Sequence, residues 1–352
     1  MQPRLQKYQQ FIEKEYLASL IKNKDYSLAN LKPELRQKVE QGSFKRIVFI
    51  GMGASAIVAE MLKGFFIEQK VALPIEVIND YDLNYVLDNE NLKNQQTLFI
   101  LNSFSGNSVE PLKVYEQIKK VTKNIIFLTT GGEMAKIAQT DKVSLISWQL
   151  QNPNEIYSVL HVPQFFVILL DIFYELKIIK SNYQAELIKT VADIKKEFTG
   201  QKITQVRQIA KKLKDRELIF LATPKWYLML LKVIVMHLNE LALVSAHINS
   251  FHEFTHCEIA VFSSAKNKLG AVILADKSDD QYTKDKIKYL VKILGKQNKN
   301  SQLVVIKMEQ ADFFKKFFST LLLAQYLAYF LGLASNLEVR ELVSTASGKF
   351  KG

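Results

Sequence analysis

Apolar positions recur along the chain in two rhythms. Short apolar runs, RIVFI (46–50), LPIEVIND (73–80), TLFILNS (97–103), NIIFLTT (124–130) and KVSLISW (142–148), each fit one strand. Between them lie stretches of helical spacing, from about Ser55 to Gln69 and over SVEPLKVYEQIKK. Near-continuous apolar runs alternating with helical stretches predict βαβ units, hence a parallel sheet with helices on both faces. The rhythm changes over residues 155–214, which are helical by spacing. Alternation resumes at ELIFLAT (217–223). A long helix follows from about Trp226 to Val244, then strands at LGAVILA (269–275) and SQLVVIKM (301–308) and the apolar helix DFFKKFFSTLLLAQYLAYFLGLAS. At the start of the chain Phe11, Ile12, Tyr16, Leu17, Leu20 and Ile21 keep helical spacing among charges.

This pattern predicts an α/β protein of two domains, a comfortable number for 352 residues. The expected boundaries are an N-terminal helical segment (1–40), a first domain (41–155), connecting helices (156–200) and a second domain (201–352). No sequence repeat links the halves.

Composition narrows the class. The net charge is +12, but only six of the 47 basic residues are arginine and the lysines are scattered. That balance describes a solvated surface, and no nucleic-acid motif accompanies it. No apolar run is expected to approach the ~20 residues of a membrane span. The N-terminus lacks the continuous apolar core of a signal peptide. The single cysteine, Cys257, excludes an internal disulfide and a Cys-based zinc site. His161, His237 and His247 have no ligand spacing, and His252 and His256 stand four apart without a third ligand. The expectation is a cytoplasmic protein without metal, organic cofactor, nucleic-acid partner or membrane partner.

Two turns carry candidate chemistry. GMGAS (51–55) follows the first predicted strand and LNSFSGNSVE (101–110) contains the end of the third. Serine hydroxyls and the free amides at a helix start are donors fixed before an anion arrives, and glycine lets the backbone come close. In a sheet of flavodoxin-like order the crevice lies between the first and third strands, so both turns would flank it. GMGASA lacks the third glycine of a dinucleotide fingerprint, and no phosphate-binding loop ending in GK[ST] occurs, so a compact phosphate fits better than a nucleotide.

The ordered set GMGAS…PIEVINDYDLN…SFSGNSVE…LTTGGEMAKIA, with LNELA (238–242) and FHEFTHCEI (251–259), resembles sugar isomerase (SIS) domain proteins. It is most similar to the bifunctional phosphoglucose/phosphomannose isomerases, whose segments read roughly GMGGSG, SYSGNT, NEN and FPELNHNEI. The resemblance covers about residues 40–345. It implies two flavodoxin-like SIS domains, each a parallel sheet with helices on both faces, in a homodimer. It implies aldose–ketose isomerisation of a hexose 6-phosphate without cofactor. Gly53, Ser55, Ser103, Ser105 and Ser108 match the phosphate site, Glu240 the base, and His256 the histidine that opens the sugar ring. Moving a proton between C1 and C2 through an enediol suits one carboxylate whose pKa is raised by partial burial, and imidazole suits proton exchange with the ring oxygen.

The chain also departs from that family. Ala54 and Ala56 replace glycines, and no arginine occurs between Arg46 and Arg207, where the family carries a Pro-Arg pair near the reacting carbons. His161 is a substitute donor to consider. The family's C-terminal lysine corresponds to Lys349, with Arg340 nearby. The second reading is a non-catalytic sugar-phosphate sensor, favoured by the missing arginine and opposed by retention of Glu240 and His256.

Overall fold

The computed structural model describes residues 3–22, 25–81, 83, 95–149, 157–264, 266–297 and 300–335. The chain divides into two compact units, residues 16–191 and residues 1–15 together with 192–352.

The first unit holds one sheet of β1 (Tyr26–Asn30), β2 (Arg46–Ile50), β3 (Ile75–Ile78), β4 (Thr97–Ser103), β5 (Ile125–Thr129) and β6 (Ser144–Trp148). Their order is β1-β6-β5-β4-β2-β3. Strands β2 to β6 are parallel, and β2 lies between β3 and β4. This is the flavodoxin-like order, with its crevice between β2 and β4. The central strands β4 and β5 are buried along their whole length, which is why they read as unbroken apolar runs. On one face Val48, Phe99, Leu101 and Phe127 pack with Val114, Tyr115 and Ile118 of helix Val109–Ile118 and with Met134. On the other, Phe49 stacks on Phe173, and Phe65 of helix Ala54–Glu68 meets Phe166 edge to face. β1 pairs antiparallel with β6 at the sheet edge, a strand the apolar pattern does not show because its YSLAN is mixed.

The second unit has β7 (Glu217–Ala222), β8 (Ala246–Ser250), β9 (Leu269–Asp276) and β10 (Gln302–Met308), all parallel, in the order β10-β9-β7-β8. β8 is an edge strand, so its polar AHINS is tolerated and the hydrophobic pattern misses it. The predicted long helix is continuous over 224–242 but not uniform. Tyr227–Leu231 and His237–Ala242 are π turns on either side of the α-helical Lys232–Met236. The last π turn ends at Leu243, which takes the left-handed conformation (φ 55°, ψ 40°) and sends the chain into β8.

Two segments, Ser158–Glu175 (18 residues) and Phe313–Ser335 (23 residues), are long and apolar enough to cross a membrane. That corrects the expectation that no run reaches span length. Both are 83% or more buried, the first packing on helix Ala54–Glu68 and the second on helix Gly200–Leu213. An apolar circumference is what a core helix needs on all sides.

Candidate functional site

At the carboxyl edge of the first sheet three turns interlock. The first is Gly51–Ser55 after β2. Ser55 is buried, and its Oγ accepts from Phe104 N at 3.0 Å, tying this turn to the one after β4. Asn102 Nδ2 donates to the Ser55 carbonyl at 2.8 Å, and a Cβ on Gly51 would stand 2.8 Å from Asn102 O. Glycine at 51 is therefore required by close backbone approach, not by an unusual φ. In the second turn, Ser103 Oγ donates to Ser108 Oγ at 3.0 Å, and Ser105 Oγ accepts from Asn107 N at 3.2 Å.

The third turn is Thr129–Gly132 after β5. Thr130 donates to the Phe104 carbonyl from N (3.2 Å) and from Oγ1 (2.8 Å). Met134 N donates to Gly106 O at 2.9 Å and Glu133 N to Asn107 Oδ1 at 3.0 Å. Gly106 (φ +69°) and Gly132 (φ +69°) both take left-handed backbone, where side chains are strained, and each faces the other turn's carbonyl too closely for a Cβ. The apolar pattern marked Gly131-Gly132 as a strand end. It gave no sign that this turn braces the serine loop.

The structure thus places all four serines and Gly53 on the two turns that follow the neighbouring strands β2 and β4. Their exposures differ. Ser55 and Ser103 are buried, whereas Gly53 and Ser105 are exposed and Ser108 is half-buried. Gly53 and Ser108 are the residues that open helices Ala54–Glu68 and Val109–Ile118, and neither cap contributes a side-chain bond to its helix. Hydroxyls and helix-start amides on these two turns can hold an anion.

His161 lies beside this loop. Its ring stacks on Phe104 (centroids 5.5 Å, 23° apart), and Phe104 meets Trp148 edge to face. Burial pushes the His161 imidazole down to about 4, so it is neutral above that pH. Its Nε2 has no hydrogen-bond partner among the described residues. A neutral ring buried against Phe104 braces the loop from behind and places no positive charge beside it.

Glu240 and His256 belong to the second unit. Glu240 sits half-buried in the π turn His237–Ala242, and burial raises its carboxyl above the ordinary range. The neighbouring His237 is fully enclosed, stacked on Tyr8, and burial pushes it down to about 3. His256 is exposed in the turn after helix Phe251–Phe254. That helix begins directly after β8, and its Phe251 and Phe254 pack with Ile219, Leu221 and Ile273 on one face of the second sheet. The helix leading to Glu240 makes the preceding β7-to-β8 crossover. With right-handed crossovers and β8 and β9 on opposite sides of β7, it covers the other face. Within this unit the chain therefore does not bring Glu240 and His256 together. Lys349 and Arg340 lie outside the described residues.

Both sheets, their orders and their flanking helices define a protein of two α/β domains, the fold that SIS-domain proteins share. A family model described as the bacterial phospho-glucose isomerase C-terminal SIS domain matches residues 202–344. The C-terminal domain of glucosamine-fructose-6-phosphate aminotransferase from Francisella tularensis superposes with a TM-score of 0.70 at 17% identity, covering 96% of this chain and 98% of that one. More particularly, the chain resembles the bifunctional phosphoglucose/phosphomannose isomerases. The enzyme of that name from Caldicellulosiruptor bescii is 27% identical over 271 residues, 72% of this chain and 76% of its own. A D-glucosamine-6-phosphate 4-epimerase from Sulfolobus acidocaldarius is 27% identical over 241 residues, 67% of this chain and 71% of its own.

Proposed function

We propose that this protein is a phosphosugar isomerase that interconverts glucose 6-phosphate or mannose 6-phosphate with fructose 6-phosphate. The observation that carries the reading is the set of serine hydroxyls and helix-start amides on the turns after β2 and β4, which can hold a compact anion. The phosphate of the open-chain sugar binds there, with Ser105, Ser108 and Gly53 at the accessible rim. Glu240 takes the proton from C2 of the aldose. The electron pair moves to O1 to give the enediolate, a proton passes from O2 to O1, and the same carboxyl returns its proton to C1 to give the ketose. Burial that raises its pKa makes it a stronger base than a free carboxylate. His256 opens the ring by exchanging a proton with the ring oxygen.

The fold supports a reading of the assembly as well. Because Glu240 and His256 cover opposite faces of one sheet, a site that uses both takes His256 from a second copy. The working form is then a homodimer in which each site is shared. Two tests separate the parts of this reading. Incubation with fructose 6-phosphate in deuterated water should yield glucose 6-phosphate and mannose 6-phosphate labelled at C2. Binding without turnover or exchange supports the sensor instead, and turnover of glucosamine 6-phosphate alone moves the substrate to amino sugars. Coexpressed Glu240→Gln and His256→Ala chains should recover about a quarter of native activity, since half of the dimers are mixed and each holds one intact site. No recovery rejects the shared site.

A further inference from the structure

The structure assigns Arg4 a positioning role: from the N-terminal helix it holds the π turn that carries Glu240. This rests on the reading of Glu240 as the base.

A π turn is a local insertion in a helix and is rarely stable on its own. Its last carbonyls have no partner within the helix. Glu240 sits near the end of such a turn, where a carboxylate base needs a fixed direction. Both residues beside it are tied to other elements. Asn239 Oδ1 accepts from Ala246 N at 3.2 Å, joining the turn to the first residue of β8. Leu241 O accepts from Arg4 Nε at 2.7 Å, across 237 positions of sequence. Arg4 is only 7% exposed, so this bond is shielded from water. Its cation stands at the negative end of the helix, where a positive charge is favoured.

The rest of helix Pro3–Gln10 fits the same junction. Tyr8 stacks on His237 at the start of the π turn (5.5 Å, 12°), and Gln325 Nε2 reaches His237 Nε2 at 3.3 Å from helix Phe313–Ser335. Tyr329 of that helix donates to Gln9 Oε1 at 2.9 Å. Gly332 lies where three elements meet: a Cβ there would be 2.8 Å from Leu5 and 3.2 Å from the Ala242 backbone. The side chains around Glu240's turn are thus set by the first turn of the chain and by the last described helix. Leu243, in left-handed backbone, closes the turn.

The test uses the full chain. Arg4→Ala should lower kcat roughly tenfold while KM for fructose 6-phosphate stays within about twofold, because the phosphate end is held elsewhere. In a Glu240→Gln background the same change should cost nothing further, since a positioning residue acts only through the group it positions. Arg4→Lys, which keeps a donor for the Leu241 carbonyl, should recover part of the rate. Hydrogen exchange at residues 241–244 should rise at least tenfold in Arg4→Ala, with exchange in β9 unchanged. Unchanged kcat, or an equal loss in the Glu240→Gln background, overturns the proposal, as does unchanged exchange at 241–244. If the native protein isomerises nothing, the isomerase reading falls, and the exchange measurement still decides whether Arg4 holds the turn.

Discussion

Gly106→Ala tests whether the serine loop and the Thr129–Gly132 turn are one interlocked unit. A Cβ at 106 would stand 1.8 Å from Gly131 O and 2.8 Å from Thr129 Oγ1, on backbone with φ +69°. Left-handed backbone costs an alanine about 1 kcal/mol. Reaching an ordinary contact of 3.4 Å means parting the turns by about 1.6 Å, since the obstacle is backbone and not a flexible side-chain end. That parting breaks Met134 N to Gly106 O and Glu133 N to Asn107 Oδ1. Each such bond contributes about 1 kcal/mol, so the total loss is about 3 kcal/mol. For a unit of this size that lowers Tm by roughly 10 °C. Gly42→Ala is the control. Gly42 follows helix Pro33–Glu40 in a Schellman turn, also with positive φ (+68°), but nothing lies within 4 Å of its Cβ position, so only the backbone cost of about 1 kcal/mol applies. Calorimetry measures both melts, and titration with fructose 6-phosphate measures binding. Gly106→Ala should melt far below Gly42→Ala and lose binding. Equal melting temperatures, or intact binding in Gly106→Ala, would refute the interlock.

Further expectations follow from the same geometry. Glu240→Gln should lower kcat by about 10²–10⁴ with sugar-phosphate binding kept, and C2 exchange should vanish; normal turnover removes Glu240 from the base role. Burial raises the Glu240 pKa in the folded state, so its ionisation favours unfolding. Its contribution to stability is complete below the unfolded pKa near 4.5 and is lost as pH rises through the raised folded value. Glu240→Gln should therefore be more stable than the native protein at pH 7 and no more stable at pH 3.5, as read from urea midpoints. For the same reason kcat should fall on acidification with a midpoint above 4.5. Ser103→Ala combined with Ser105→Ala should raise KM with a smaller effect on kcat. Ser55→Ala, which removes the acceptor for Phe104 N, should also lower Tm; an unchanged melt would show that the two turns are not joined through Ser55.

The amino-acid sequence by itself determined the α/β class, the central strands and the turn chemistry. β4 and β5 are buried on both faces, so their residues are apolar throughout, and any reader of hydrophobic pattern finds them. Serines around a glycine after a strand are equally legible, because the demand for small donors and close backbone is local. What lies at an edge or depends on distant partners was not legible. β1 and β8 are edge strands whose outer side needs no apolar residues, so YSLAN and AHINS carry no period-two signal. The π turn around Glu240 keeps helical spacing in the sequence, and only the backbone shows its extra residue. The bond from Arg4 to Leu241 and the stack of Tyr8 on His237 join positions more than 220 residues apart. Gly106 and Gly132 each look like ordinary turn glycines until the fold sets each against the other's turn. The separation of Glu240 from His256 was likewise decided by topology. Two residues sixteen apart in sequence end on opposite faces because the edge strand β8 runs between them and consecutive right-handed crossovers leave it on opposite sides.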